Sequence, residues 1–260
     1  MAFNVRTVDL AKLNSLTKYP SILTYHMLDP KTGGLLEELT AFTGTVIGTE
    51  KVDGTNSRVI CLPDGCYLLG SREELLYGKG DLIGNPSLGI VDALKETADR
   101  LCDGERAEIT VYYFEVFGGR VTANSKQYTG AQRVSIRLFD VVVLREYDAL
   151  LSQPAAQIAQ WRDNGGQSFA DEGALERIAS QLGLTLTPRL FAINGADLPR
   201  GIHDTLAFLQ TRLPESRCRL DDAAGGKPEG IVLRSPDRST IAKARFEDYE
   251  RTLKRKRTKI

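Results

Sequence analysis

Little in this sequence points to a membrane, a secretory route or a protein-bound metal. In 260 residues no apolar run approaches the roughly 20 needed to span a bilayer. The opening Met1-Ala2-Phe3-Asn4-Val5-Arg6 lacks the apolar core of a signal peptide. Histidine is scarce, with two residues, and there are four cysteines. Cys61, Cys66, Cys102 and Cys218 form no CxxC pair and have no histidine nearby, so neither a zinc site nor a disulfide framework is expected. Cys61 and Cys66 flank Pro63-Asp64-Gly65 and read as hairpin residues. The chain reads as cytoplasmic, with free thiols.

Net charge is also missing: 34 basic residues balance 34 acidic ones. The balance conceals an asymmetry. Residues 241–260 hold eight Lys/Arg against three acids, a local charge of +5, which leaves −5 on the other 240 residues. Such an end is either solvated or suited to a polyanion. Hydrophobic content of 42% and charged content of 26% belong to an ordinary globular protein able to bury a sizeable core.

What is present centres on Glu50-Lys51-Val52-Asp53-Gly54-Thr55-Asn56. An apolar β-branched run (43–47) precedes it and another (58–62) follows, so it reads as a turn between strands. Lysine is depleted in strands and rarely buried. On these seven residues alone, a tight Asp53-Gly54 hairpin with Lys51 in solvent accounts for the pattern.

Residues 1–40 are mixed, with turns at Tyr19-Pro20-Ser21 and 29–34 and a helical turn expected over 35–39. Strands are expected from 42 to 69, broken at Asp53-Gly54 and Pro63-Asp64-Gly65. Pro86 is expected to open a helix carrying Leu88, Val91, Leu94, Ala98 and Leu101. Residues 109–117 form a strand whose two faces are both apolar. Glu115 shares a face there with Ile109, Val111, Tyr113 and Phe117, and a carboxylate so placed needs a partner. A second buried strand, 134–144, carries Phe139 and Asp140, the latter read as structural. Residues 150–220 look helical, with core-facing stripes at Leu175, Ile178, Ala179, Leu182 and at Ile202, Leu206, Leu209, Leu213. Gly183 stands where a helix cap belongs. After a loop at 221–228 come strands at 229–234 and 240–246, the last with Lys243 and Arg245 on one face.

This order of placements resembles the covalent nucleotidyltransferases, the polynucleotide ligases and mRNA capping enzymes. Lys51-Val52-Asp53-Gly54 is similar to their K-x-D-G nucleophile motif, and Ser71-Arg72 to the ligase Ser-Arg element. Phe114-Glu115-Val116-Phe117-Gly118 is similar to the third motif and Arg137-Leu138-Phe139-Asp140 to the aromatic element after it. Glu229-Gly230-Ile231-Val232-Leu233 and Lys243-Ala244-Arg245 are similar to the fourth and fifth. The longer string Glu50-Lys51-x-x-Gly54-Thr55-Asn56 most resembles the RNA ligase 2 branch. Arg245 departs from the family's second lysine, keeping charge but changing donor geometry.

The resemblance implies an α+β adenylyltransferase domain of antiparallel sheets flanked by helices over 1–250. The basic tail occupies 251–260, and no oligonucleotide-binding or helical C-terminal domain follows. It implies an ATP-dependent RNA ligase joining 5′-phosphate and 3′-hydroxyl RNA ends through lysyl-AMP and adenylated RNA. A DNA nick ligase, a capping guanylyltransferase and a non-turnover nucleotide- or RNA-binding subunit are the alternatives. Lys51 would be the nucleophile, with ATP and Mg²⁺ or Mn²⁺ as cofactors. Lys243 and Arg245 would favour its neutral amine, since nearby cations depress a lysine's pKa, and would neutralise phosphate charge. Glu229 would hold the metal, a hard cation that takes one or two carboxylates. Glu115 would accept from the ribose hydroxyls, Phe139 would stack on adenine, and Glu50 would contact the adenine edge. Asn56 and Arg72 would hold the AMP ribose and phosphates, with Asp53 and Gly54 in the nucleotide-binding set. A protein partner could stand in for the missing domain.

Overall fold

The computed structural model describes residues 3–79, 81–82 and 89–258. Chain order begins with α1 (Leu10–Thr17), β1 (Leu23–Thr24), β2 (His26–Leu28), β3 (Leu35–Leu39), β4 (Thr45–Lys51) and β5 (Thr55–Cys61). Then come β6 (Tyr67–Ser71), β7 (Leu75–Gly78), β8 (Asp81–Leu82), α2 (Ile90–Leu101), β9 (Ile109–Gly118) and β10 (Val134–Leu144). Helices α3 (Tyr147–Leu151), α4 (Ala155–Asp163) and α5 (Glu172–Leu182) lead to β11 (Arg189–Asn194) and α6 (Ile202–Arg212). The chain closes on β12 (Gly230–Arg234), β13 (Ile241–Arg245) and α7 (Phe246–Thr258).

Two larger sheets result, of order β1-β13-β12-β4-β11 and β10-β9-β5-β6-β7-β8, beside a small β2-β3 sheet. Every pairing is antiparallel except β1 with β13. The α+β class expected from the sequence is the one observed. Consecutive strands β4 and β5 belong to different sheets, so the chain passes between them at residues 52–54.

Period-2 alternation decides what each face meets. On the first sheet Val46, Ile231, Leu233, Ala242 and Ala244 pack beneath α6 and α7 with Leu209, Leu213, Phe246 and Tyr249. The residues between them, Thr49, Lys51, Val232, Lys243 and Arg245, are left for the opposite face, where they line a cleft. One face of the second sheet packs Val59, Tyr67, Leu69 and Phe114 against α2 and α5. Its other face packs Ile60, Val111 and Tyr113 against Leu13 and Leu16 of α1 and Ile158 of α4. Asn56 and Glu115 continue that second face to the sheet's end and line the same cleft.

Several expectations need correcting. Residues 35–39 are a strand, not a helical turn: helix-favouring Leu and Glu are overridden by pairing with β2, Leu28 opposite Leu35. The helical stretch expected over 150–220 contains β11, an edge strand of mixed burial with no alternation to reveal it. Cys61 and Cys102 are joined in a disulfide, not free. They are 41 residues apart, a spacing without meaning until α2 lies across β5; Cys66 and Cys218 are free. The helix start expected at Pro86 lies outside the described residues, and α2 begins at Ile90.

The basic end is not a tail, since α7 runs to Thr258. Thr252 is 4% exposed and accepts the Leu35 N–H at 2.9 Å. Arg251 reaches Asp248 at 2.6 Å and the Gly33 carbonyl at 3.0 Å. Removing 251–260 strips these bonds and the Leu253 contact with the core. Thermal melting is expected to show a loss of about 5 °C or more, since 1 kcal/mol moves Tm by roughly 2–4 °C at this size. An unshifted melt would return the segment to the status of a solvated tail.

Candidate active site

The cleft lies where the two sheets meet and has a volume of about 430 Å³. Its floor is set by register. Lys51, Gly230 and Arg245 lie in one row across the first sheet, and Thr49, Val232 and Lys243 in the next. Gly230 is required in that row: a Cβ there would stand 2.2 Å from the Ala244 carbonyl oxygen. Glu229, one residue before β12, thereby arrives beside Lys51, and their side chains meet at 2.6 Å.

The opposite wall comes from the second sheet. Asn56 pairs in register with Glu115, and Glu115 Oε1 accepts the Gly54 N–H at 3.0 Å. Gly54 has no room for a side chain, because a Cβ would lie 2.3 Å from the Val116 carbonyl oxygen. Phe139 occupies a β-bulge: Leu138 pairs with Phe114 and Asp140 with Tyr113, leaving Phe139 unopposed. A bulge re-aims a side chain, and here the ring lines the cleft, perpendicular to Tyr19 with ring centroids 5.0 Å apart.

Burial and like charge shape the electrostatics. Burial pushes the Glu115 carboxyl from 4.5 up to about 8, with Lys51 opposing and Glu229 adding. Glu229 is raised by burial and held back by Lys51. Lys243 is lowered by burial first, then by Arg245, Lys51 and Arg72. Five acidic and five basic residues thus line one cleft.

The rise at Glu115 has a testable sign. Below pH 4.5 both folded and unfolded chains hold the proton, and no penalty applies. Between 4.5 and about 8 the unfolded chain has released it while the fold retains it, so stability falls as pH rises. Glu115→Gln cannot ionise and keeps an acceptor for Gly54. Its melting temperature is expected to match wild type near pH 4.5 and exceed it by several degrees at pH 9. A constant difference across that range would show that Glu115 is not the group titrating.

The structure brings Glu50, Lys51, Asp53, Gly54, Asn56, Arg72, Glu115, Phe139, Glu229, Lys243 and Arg245 to one cleft. Two are otherwise engaged. Arg245 pairs with Asp248 at 2.7 Å. The side chain of Glu50, expected at the adenine edge, is 1% exposed. Its two oxygens accept the Ser216 hydroxyl at 2.5 Å and the Arg217 N–H at 2.8 Å. Glu50 thus lines the cleft with its carboxylate already held from behind. Arg72 is more than half exposed and reaches Glu73 and Ser21 at 3.4 Å. Asp140 has the structural place expected, accepting from Tyr19 at 2.7 Å and Arg238 at 2.8 Å.

Other lining residues carried no signal in the sequence. Tyr19, Pro20, Ser21 and Ile22 form a rim from a stretch that reads as a turn. Arg58, which does not itself line the cleft, sits at the start of a run that reads as apolar, yet it is 1% exposed and donates to the Arg72 carbonyl at 3.4 Å. Burial lowers its guanidinium to about 10.

A family model for RNA ligases matches residues 44–255. No curated protein matches the sequence. Among solved structures the chain is similar to a Naegleria gruberi RNA ligase mutant with ATP and Mn, at TM-score 0.53 and 16% identity, over 81% of this chain and 52% of that one. It is similar to an archaeal ATP-dependent RNA ligase at TM-score 0.53 and 15% identity, over 89% of this chain and 49% of that one. The chain thus spans about half the length of these solved relatives, and at such identity the likeness is one of fold. The match to the family model covers most of the sequence, from the strand before Lys51 past Arg245: the chain belongs to the RNA ligase family.

Proposed function

We propose that this chain is the adenylyl-transferring part of an ATP-dependent RNA ligase, with Lys51 as the nucleophile. The observation that carries the reading is the row Lys51, Gly230, Arg245 with Glu229 at its edge. It sets a lysine amine among cations in a cleft sized for a nucleotide. The Lys51 nitrogen attacks the α-phosphorus of ATP. A nitrogen–phosphorus bond forms, and the bond to the β-phosphate bridging oxygen breaks, releasing pyrophosphate. AMP then passes to an RNA 5′-phosphate, and a 3′-hydroxyl attacks that phosphate and expels AMP.

As found, Lys51 is the charged partner of an ion pair, so it must leave Glu229 and shed a proton before it can attack. Lys243, Arg245 and Arg72 offer the phosphates a field of positive charge. Glu115 offers an acceptor to the ribose, and Phe139 a ring face to the base.

A divalent cation fits Glu229. The side chain is partly exposed at the cleft edge, and the described residues contain no cluster of three or more metal-ligating side chains. That suits an ion that takes one protein carboxylate and fills its shell with water and phosphate oxygens. Such an ion supplies charge neutralisation at the phosphates.

The test is incubation with α-labelled ATP and Mg²⁺ without nucleic acid, followed by a denaturing gel. A labelled band supports the reading, and its absence removes it. GTP in parallel separates adenylyl from guanylyl transfer. Nicked duplex RNA, single-stranded RNA and nicked DNA, offered to the same preparation, separate the substrates.

A further inference from the structure

Two segments outside the cleft hold the turn that carries Lys51. Residues 119–133 follow β9, and 215–228 precede β12. They bind each other along their length. Leu220 N–H donates to the Tyr128 carbonyl at 2.8 Å, Gly225 N–H to Lys126 at 2.9 Å, and Gly226 N–H to Gln127 at 2.9 Å. Asp221 ties the pair together, accepting the Gly130 N–H at 2.9 Å, the Thr129 hydroxyl and the Ala131 N–H at 3.3 Å. These donors hold its carboxyl down at about 2. Beneath them Val52, Phe117, Tyr128 and Cys218 form a small apolar cluster of their own.

From this double loop, hydrogen bonds reach the nucleophile turn on both sides of Lys51. Ser216 and Arg217 hold the carboxylate of Glu50. The Tyr128 hydroxyl accepts the Asp53 N–H at 2.6 Å, and Asn124 donates to the Asp53 carboxylate at 2.6 Å. The same loop sets the approach of Glu229, since Gln127 Oε1 accepts the N–H of Lys227, two residues upstream, at 3.0 Å. Tyr128 is fully buried, so its hydroxyl has no water to fall back on. Its removal takes from the partly buried Asp53 N–H its hydrogen-bond partner.

We propose that the clasp of 119–133 on 215–228, through Tyr128 and its Asp221 tie, positions the backbone of residues 50–54 so that Lys51 faces the α-phosphate. Tyr128 and Asp221 are positioning residues: neither lines the cleft, and each acts through the turn. Attack in line at phosphorus tolerates little displacement of the nitrogen, and a shift near 1 Å can cost on the order of a hundredfold in rate.

The inference rests on adenylyl transfer to Lys51, and single-turnover adenylate formation separates the two. A damaged fold lowers the fraction of molecules that react, whereas a misplaced nucleophile lowers the rate constant of those that do. Tyr128→Phe keeps the ring in its cluster. It is expected to reach the wild-type end point of adenylate per chain, with a rate constant about tenfold or more lower and half-saturation in ATP within about threefold. Asp221→Asn keeps the shape of the tie and weakens its charge-assisted bonds; its rate constant is expected to fall at the same end point. A Tyr128→Phe rate constant within twofold of wild type overturns the proposal, whether the end point is full or reduced. An unchanged Asp221→Asn rate constant overturns the part assigned to Asp221. Wild-type protein that forms no adenylate overturns the adenylyl-transfer reading itself, and with it this one.

Discussion

Lys51→Ala is expected to form no covalent adenylate with labelled ATP while keeping its fold. The loss of chemistry is complete because a methyl group carries no nucleophile. The loss of stability is small. Lys51 has one ion pair, with Glu229, and both side chains are partly exposed, at 24% and 20%. Such pairs contribute ~1 kcal/mol or less, and Glu229 stays within reach of water once its partner is gone. Melting within about 3 °C of wild type is therefore expected. Survival of the labelled adduct in this variant would remove Lys51 as the nucleophile.

Glu229→Gln poses two opposed effects, and their magnitudes decide the outcome. Removing the carboxylate frees Lys51 from its ion pair, which by itself eases loss of the ammonium proton. It also removes the anionic oxygen proposed to hold a divalent cation, and a cation at a transferring phosphoryl group supplies several kcal/mol. The second effect exceeds the first, so adenylate formation is expected to fall about a hundredfold or more. Raised Mg²⁺ or Mn²⁺ should restore part of it. A faster variant with unchanged metal dependence would mean that Glu229 restrains Lys51 and binds no cation.

The strands that carry the site were legible because their signals are local. Alternating apolar and polar residues mark β13, and Ala242 and Ala244 are buried on the face opposite Lys243 and Arg245 as that pattern requires. Glycines at 54 and 230 stand where a neighbouring backbone leaves no room for a Cβ. All eleven residues singled out from the sequence line the cleft, although Arg245 is paired with Asp248 and the Glu50 carboxylate is held by Ser216 and Arg217. The clasp was not legible, since Tyr128, Ser216 and Asp221 come from loops whose meeting depends on where β9 and β12 end. Nor was Arg58, which opens the apolar run Val59-Ile60-Cys61-Leu62. The Cys61–Cys102 disulfide needed a helix laid across a strand, which spacing along the chain does not encode.

The position of β4 has a consequence for the order of events during synthesis. Its two neighbours in the sheet, β11 and β12, begin at Arg189 and Gly230, long after Lys51 has left the ribosome. At roughly 5–20 residues per second, the 178 residues between Lys51 and Glu229 take on the order of 10–35 s to appear. Until β11 appears both edges of β4 are open, the edge that β12 covers stays open to the end of the interval, and Glu229, Lys243 and Arg245 do not yet exist. Under the proposed adenylyl transfer, a nascent chain short of residue 245 lacks part of the site, and covalent labelling at Lys51 is expected only once translation has passed that residue and the sheet has closed around its central strand.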